Sequence, residues 1–92
     1  MNLKISNGGR IRIPKNIHTE LNWTDGRYLF VYEFQNCIMI EKYNKDKTLN
    51  QCLFSNGRIT IPIELRRLLN ISPNSFLSMD VSCNKVILKS QN

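Results

Sequence analysis

One phrase of the sequence occurs twice. Residues Gly57 to Leu69 read GRITIPIELRRLL, and residues Gly9 to Leu21 read GRIRIPKNIHTEL. Residues 9–41 align with residues 57–89 without a gap, with nine identities and matched apolar residues between them. An unbroken alignment of this length indicates a tandem duplication. Each half of the chain is close to the lower size limit for burying a core alone, so we expect the two copies to share one core.

Each copy predicts the same order of elements, β-β-α-β-β. The Asn-Gly pairs at Asn7 and Asn56 predict tight turns, and the isoleucines that alternate with polar residues after them predict strands with one buried face. Pro14 and Pro62 suit the start of a helix, where the missing N–H has no partner to lose. The predicted strands are Leu3–Ser6, residues 10–13, Tyr28–Phe34, Cys37–Lys42, Gln51–Ser55, residues 58–61, Phe76–Ser82 and Lys85–Ser90, and the predicted helices are about Lys15–Leu21 and Ile63–Leu69.

These elements predict a mainly β protein with two short helices, folded as one compact domain over residues 1–92. Repeat 1 takes residues 1–43, a polar connector takes residues 44–50, and repeat 2 takes residues 51–92. In the second helix the leucines form one apolar stripe, which leaves Arg66 and Arg67 facing solvent.

The charge balance favours an acidic partner. Thirteen Lys and Arg residues against seven Asp and Glu give a formal charge of +6. In a small domain such a balance favours nucleic acid, and the alternative is a soluble surface that happens to be basic. No apolar run is long enough to span a membrane, and the first residues lack the pattern of a signal peptide. We therefore expect a cytoplasmic protein that does not interact with membranes.

The sequence carries no recognisable catalytic or metal-binding set. Three cysteines without a Cys-x-x-Cys pair argue against a disulfide framework and a zinc site, and we expect each to act as a small buried hydrophobe. His18 is the single histidine, and no nucleophile–base pair or phosphate-binding loop accompanies it. The chain is therefore predicted not to be an enzyme, without a cofactor or a metal. Residues 28–32 are apolar on both strand faces, which suggests that one face meets something else, for example a second chain.

At the repeated phrase the sequence resembles a known family. The segments GRI, IPIELRR and VILK, which begin at Gly57, Ile61 and Val86, are similar to the DNA-binding domain of the AbrB/MazE/SpoVT family. The first copy resembles the family less closely. The resemblance implies a swapped-hairpin β-barrel that presents basic residues to duplex DNA. Two tandem copies in one chain resemble the arrangement of the MraZ group.

The resemblance also implies a set of DNA-contacting arginines. In the second copy they fall on Arg58, Arg66 and Arg67, and in the first copy only Arg10 matches. His18 and Thr19 occupy the positions of the other two, so the second copy is expected to dominate. The residues themselves leave an alternative for the arginines beside the turns, which can brace the loop instead of contacting DNA. The predicted DNA-binding residues are Arg10, Arg12, Lys15, His18, Arg58, Arg66 and Arg67.

The leading hypothesis is therefore a sequence-specific transcription regulator or repressor of bacterial or phage type, acting at the nucleoid. About five phosphate contacts predict a log–log salt slope of roughly −4 to −5. A further hypothesis is a homodimer that brings two basic faces to one site. The competing hypothesis is an antitoxin-like or inhibitory protein-binding module on the same fold. Antitoxins of this group usually carry an acidic tail, whereas only Gln91 and Asn92 follow the last predicted strand.

Overall fold

The computed structural model describes residues 1–90, which are mainly β with two short helices. The element boundaries lie within two residues of the predicted ones. Gln91 and Asn92, which follow the last predicted strand, lie outside the described residues. The elements are β1 (Asn2–Lys4), β2 (Arg10–Arg12), α1 (Lys15–Glu20), β3 (Arg27–Phe34), β4 (Cys37–Glu41), β5 (Gln51–Phe54), β6 (Arg58–Thr60), α2 (Ile63–Leu68), β7 (Phe76–Ser82) and β8 (Lys85–Ser90).

The strands form a curled antiparallel sheet and a separate two-stranded ribbon. The sheet order is β1-β7-β8-β4-β3-β5, and the ribbon pairs β2 with β6. Each edge strand pairs with a strand of the other copy: β1 pairs with β7, and β5 pairs with β3. When each strand is replaced by its counterpart in the other copy, the order reads the same in reverse. The two copies are thus related by a pseudo-twofold axis that passes between β4 and β8 and between β2 and β6.

Side chains from both copies fill one buried cluster. Ile11 and Ile59 face each other across the ribbon, and each is 1% exposed. Phe54 of the second copy packs edge-to-face on Trp23 of the first, with ring centroids 5.8 Å apart. Burying an isoleucine such as Ile11 or Ile59 contributes roughly 1.5–3 kcal/mol to stability. The core therefore depends on both copies, as the size of each half led us to expect.

The two turns that precede the ribbon strands differ in length. Asn56 and Gly57 both have positive φ, and Ser55 and Arg58 exchange two backbone hydrogen bonds of 3.0 Å around them. This is the two-residue hairpin that Asn-Gly favours. In the first copy the turn has one more residue, and Gly9 takes the positive φ of 79°. The sequence alignment hides this insertion because it begins only at Gly9.

A proline precedes each helix and an asparagine follows it. Pro14 and Pro62 are the residues that precede the first helical residue, one position earlier than the helix-start position that proline favours. Asn22 and Asn70 follow the helix ends with φ of 57° and 54°. In both copies the N–H groups of the asparagine and of the residue after it donate to carbonyls of the last helical turn, as in a Schellman motif. These bonds fix the ends of helices that are too short to persist alone.

The connector covers part of the outer sheet face in the first copy. Phe30 points away from the core but is only 5% exposed. The Lys47 ammonium lies 5.2 Å from the centre of its ring, and the N–H of Val31 donates to the carbonyl of Asn50 at 2.9 Å. The connector thus covers Phe30, whereas Tyr28 and Phe34 on the same face of β3 are 59% and 54% exposed. The expectation that a second chain meets this face stays a prediction.

Candidate nucleic-acid interface

The two-stranded ribbon separates apolar and cationic side chains. Arg10, Arg12, Arg58 and Thr60 are exposed, whereas the isoleucines between them are buried. Successive residues of a strand point to opposite faces, so the four exposed side chains share the outer face of the ribbon. Because the ribbon pairs one strand from each copy, this face combines residues that are far apart in the sequence.

Two arginines stand directly opposite each other on this face. Arg12 pairs with Arg58, and Arg10 pairs with Thr60. The ladder bond from Ile13 N–H to the Gly57 carbonyl, at 2.8 Å, makes Arg12–Arg58 the non-hydrogen-bonded pair, in which side chains approach more closely. Like charges in this position destabilise a sheet. Within residues 1–90, no carboxylate or carbonyl of the protein pairs with the guanidinium groups of the three ribbon arginines.

Two open grooves extend from the ribbon. One groove of about 460 Å³ is lined by Arg12, Lys15 and His18 of the first copy together with the Asn56–Gly57 turn of the second. It also contains Asp25, whose carboxylate accepts a hydrogen bond of 2.5 Å from the Asn56 N–H. The other groove, of about 300 Å³, is lined by residues that include Arg10, Arg58, Thr60 and Asn56. Five of the seven predicted site residues therefore line a groove next to the ribbon. A sixth, Arg67, is exposed on α2.

His18 has an aromatic environment. The ring is half-buried and meets Phe54 edge-on, with centroids 5.2 Å apart. Its Nε2 faces the Gly57 turn at one wall of the larger groove. The histidine is thus part of the packing between the copies and also lines the groove.

Arg67 and Arg66 have different environments although they are adjacent. Arg67 is exposed in the last turn of α2, where a cation is favourable to the helix dipole. Arg66 is half-buried, and its Nε donates to the carbonyl of Ile61 at 2.9 Å. The prediction that both arginines face solvent therefore differs from the structure for Arg66. Among the seven predicted site residues, Arg66 is the arginine whose guanidinium bonds to a backbone carbonyl in the described part of the chain.

Sequence reasoning missed Thr60 and Asn56 as neighbours of the arginines. The alternation in β6 places Thr60 on the same face as Arg58, and that signal was available from the sequence. The position of Asn56 beside Arg10 and Arg12 depends on the pairing between copies, for which no local pattern exists.

The titratable groups with shifted pKa values lie on other elements. Burial raises the pKa of Tyr32 to about 12, and the hydrogen bond that Tyr32 donates to Glu41 acts in the same direction. Burial also raises the pKa of the Cys52 thiol. Hydrogen bonds from Thr48 lower the pKa of the exposed Asp46. None of these groups belongs to the ribbon.

The cysteines are free, and one differs from expectation. Cys37 and Cys52 are half-buried, whereas Cys83 is exposed. Cys83 lies at the first position of the β7–β8 turn with a positive φ of 52°. The expectation of a buried thiol was therefore wrong at this position.

The described part of the chain contains no group of three or more His, Cys, Asp or Glu placed to hold a metal ion. Over the same residues, no helix has the length and apolar character needed to cross a membrane. Comparison of the chain with protein-family models, with curated proteins and with solved structures finds no match. The AbrB resemblance therefore stays a prediction.

Proposed function

We propose that the protein is a sequence-specific DNA-binding transcription regulator of AbrB type and that its ribbon enters the major groove of duplex DNA. The observation that carries this proposal is the outer face of the ribbon, which holds Arg10, Arg12 and Arg58 without an acidic partner. A two-stranded ribbon fits the width of the major groove, and an arginine fork matches the O6 and N7 acceptors of guanine.

The electrostatics of the ribbon support the same proposal. Holding Arg12 opposite Arg58 lowers the stability of the free protein, and a phosphate or guanine edge between them would relieve the repulsion. Lys15 at the neighbouring groove and Arg67 on α2 supply cations for the backbone on either side. A formal charge of +6 adds long-range attraction to a polyanion.

The strand exchange between the copies supports an AbrB-like swapped-hairpin fold as part of the proposal. Each copy contributes its first strand to the sheet edge of the other, and the cationic ribbon lies on the pseudo-twofold axis. A regulator of this kind would act on the nucleoid in the cytoplasm. The hypothesis that two chains pair on one operator is tested by the light-scattering mass of the complex.

Fluorescence anisotropy on labelled duplex DNA tests the proposal. A random-sequence duplex pool, enriched over several rounds, supplies the specific site. The variant Arg12→Ala/Arg58→Ala should lose at least about 100-fold in affinity, since it removes two charge-assisted contacts. The matched control is Lys45→Ala, which removes a cation from the connector and should bind normally. Unchanged affinity of the double variant with an intact fold would refute the proposal.

One observation favours the protein-binding alternative. Helix α2 exposes Leu68 and Ile63, which are 63% and 44% exposed, whereas α1 has Glu20 and Lys15 at the equivalent positions. Exposed apolar side chains suit a protein partner. If the chain does not bind duplex DNA even at low salt, this alternative becomes the leading one.

A further inference from the structure

We infer that Arg66 is a positioning residue that holds the first-copy turn, Ser6 to Arg10, against the second copy, and that its guanidinium does not contact DNA. The inference rests on the proposed function, because it decides which cations of the chain meet the DNA. It assigns Arg66 a role different from that of its neighbour Arg67.

The backbone of Ile61 connects Arg66 to the first copy. The N–H of Ile61 donates to the carbonyl of Gly9 at 2.8 Å, and the carbonyl of Ile61 accepts the Nε–H of Arg66 at 2.9 Å. The main chain of Arg66 is fixed as well, since its N–H donates to Pro62 and its carbonyl accepts the N–H of Ile71. The side chain is therefore anchored at its base and at its Nε.

The guanidinium lies directly on the backbone of Gly9. A Cβ built at Gly9 would lie 2.4 Å from the Cζ of Arg66 and 2.6 Å from its Nε. Such distances do not occur between non-bonded atoms, so any side chain at position 9 would displace the arginine. Only glycine leaves the space that this contact needs.

The equivalent position in the other copy is open. A Cβ at Gly57 would have no neighbour closer than 3.9 Å, although its φ of 74° is close to the 79° of Gly9. His18 stands there in place of the arginine and leaves a groove. Both glycines thus have a positive φ that disfavours other residues, and only at Gly9 would a side chain also clash with a neighbour.

The contact also sets the position of Arg10. The N–H of Gly9 donates to the Ser6 carbonyl at 3.0 Å, and the N–H of Arg10 donates to the Ser6 Oγ at 3.1 Å. By fixing Gly9, Arg66 fixes the turn from which the ribbon strand β2 begins. Loss of this brace should therefore weaken DNA binding without removing a DNA contact.

A thermodynamic cycle tests the brace without DNA. Gly9→Ala should lower the melting temperature by several degrees more than Gly57→Ala, which has the same backbone strain and no clash. In the Arg66→Ala background, Gly9→Ala should cost no more than Gly57→Ala, because the guanidinium is gone. Equal effects of the two glycine variants in the natural background would overturn the inference.

Salt titrations of DNA binding test the second half of the inference. Arg66→Gln places a neutral donor at the chain position of the Nε and should keep the affinity within about twofold and the salt slope unchanged. Arg66→Met lacks the donor and should lose affinity with the slope unchanged. Arg67→Gln should reduce the slope by about 0.9, the value for one phosphate contact.

An Arg66→Gln slope reduced as much as that of Arg67→Gln would assign Arg66 to the DNA contacts and overturn the inference. If the natural chain does not bind duplex DNA, the proposed function fails, and the role of Arg66 toward DNA fails with it. The melting cycle would then still report whether the arginine braces the turn.

Discussion

Arg12→Glu should make the protein more stable and a weaker DNA binder at once. The variant replaces the repulsion between Arg12 and Arg58 by an attraction. Two unit charges about 6 Å apart in water interact by roughly 0.7 kcal/mol, so the reversal is worth about 1.4 kcal/mol before screening. Both side chains are exposed, and physiological salt reduces this to about 0.7 kcal/mol. For a chain of this size the melting temperature should rise by roughly 3–6 °C.

The same change should weaken DNA binding because it removes a cation and adds a carboxylate beside the phosphates. We expect a loss of roughly 10- to 100-fold and a salt slope smaller by about 1–2. Differential scanning calorimetry and anisotropy on one protein preparation measure both effects. Lys45→Glu makes the same charge change in the connector and controls for net charge. A melting temperature that falls, or a DNA affinity equal to that of the control, would refute the reasoning.

Two further predictions concern stability. Because the folded state raises the pKa of Tyr32 above the ordinary value of 10 to about 12, its contribution is complete below pH 10 and is lost as the pH rises toward 12. The side chain is only partly buried, so we expect it to account for about 1 kcal/mol of the stability that the natural chain loses between pH 9 and 12. Tyr32→Phe should lack this part of the loss when the free energy of unfolding is measured in urea over the same pH range. Cys83→Gly should raise the free energy of unfolding by about 0.5 kcal/mol, since Cys83 has a positive φ that glycine adopts without strain.

Each of these predictions has its own check. Parallel alkaline curves for the natural chain and Tyr32→Phe would contradict the assigned pKa shift. Gln35→Gly at the equivalent turn of the first copy, where φ is also 52°, should stabilise by a similar amount. A destabilised Cys83→Gly would show that the side chain contributes more to the turn than its strain removes.

Local patterns in the sequence were sufficient to predict the elements. Alternating isoleucines, Asn-Gly pairs and prolines act over a few residues, so the strand and helix boundaries agree with the structure within two residues. Asn36 and Asn84 take the positive φ that tight hairpins require, as predicted. The mainly β fold with two short helices followed from these patterns.

The rest depends on contacts between distant residues. No local pattern shows that β1 pairs with β7 rather than with its own copy, because edge pairing is decided by the complete core. The orientation of Arg66 depends on the empty space at Gly9, 57 residues earlier in the chain. The cover over Phe30 depends on the path of the connector, whose polar sequence is compatible with many paths. For the same reason, the sequence predicts which seven residues form the site but not their positions relative to one another.

The dependence of duplex-DNA affinity on salt tests the central claim most directly. Arg10, Arg12, Lys15, Arg58 and Arg67 are the five predicted site cations that the structure leaves without a protein partner among its described residues. If each of the five cations bound along the DNA displaces about 0.9 condensed counterion, the log–log slope should be about −4.5 for the natural chain and about −2.7 after removal of Arg12 and Arg58. A slope near zero, or the same slope in both proteins, would contradict a DNA-binding ribbon.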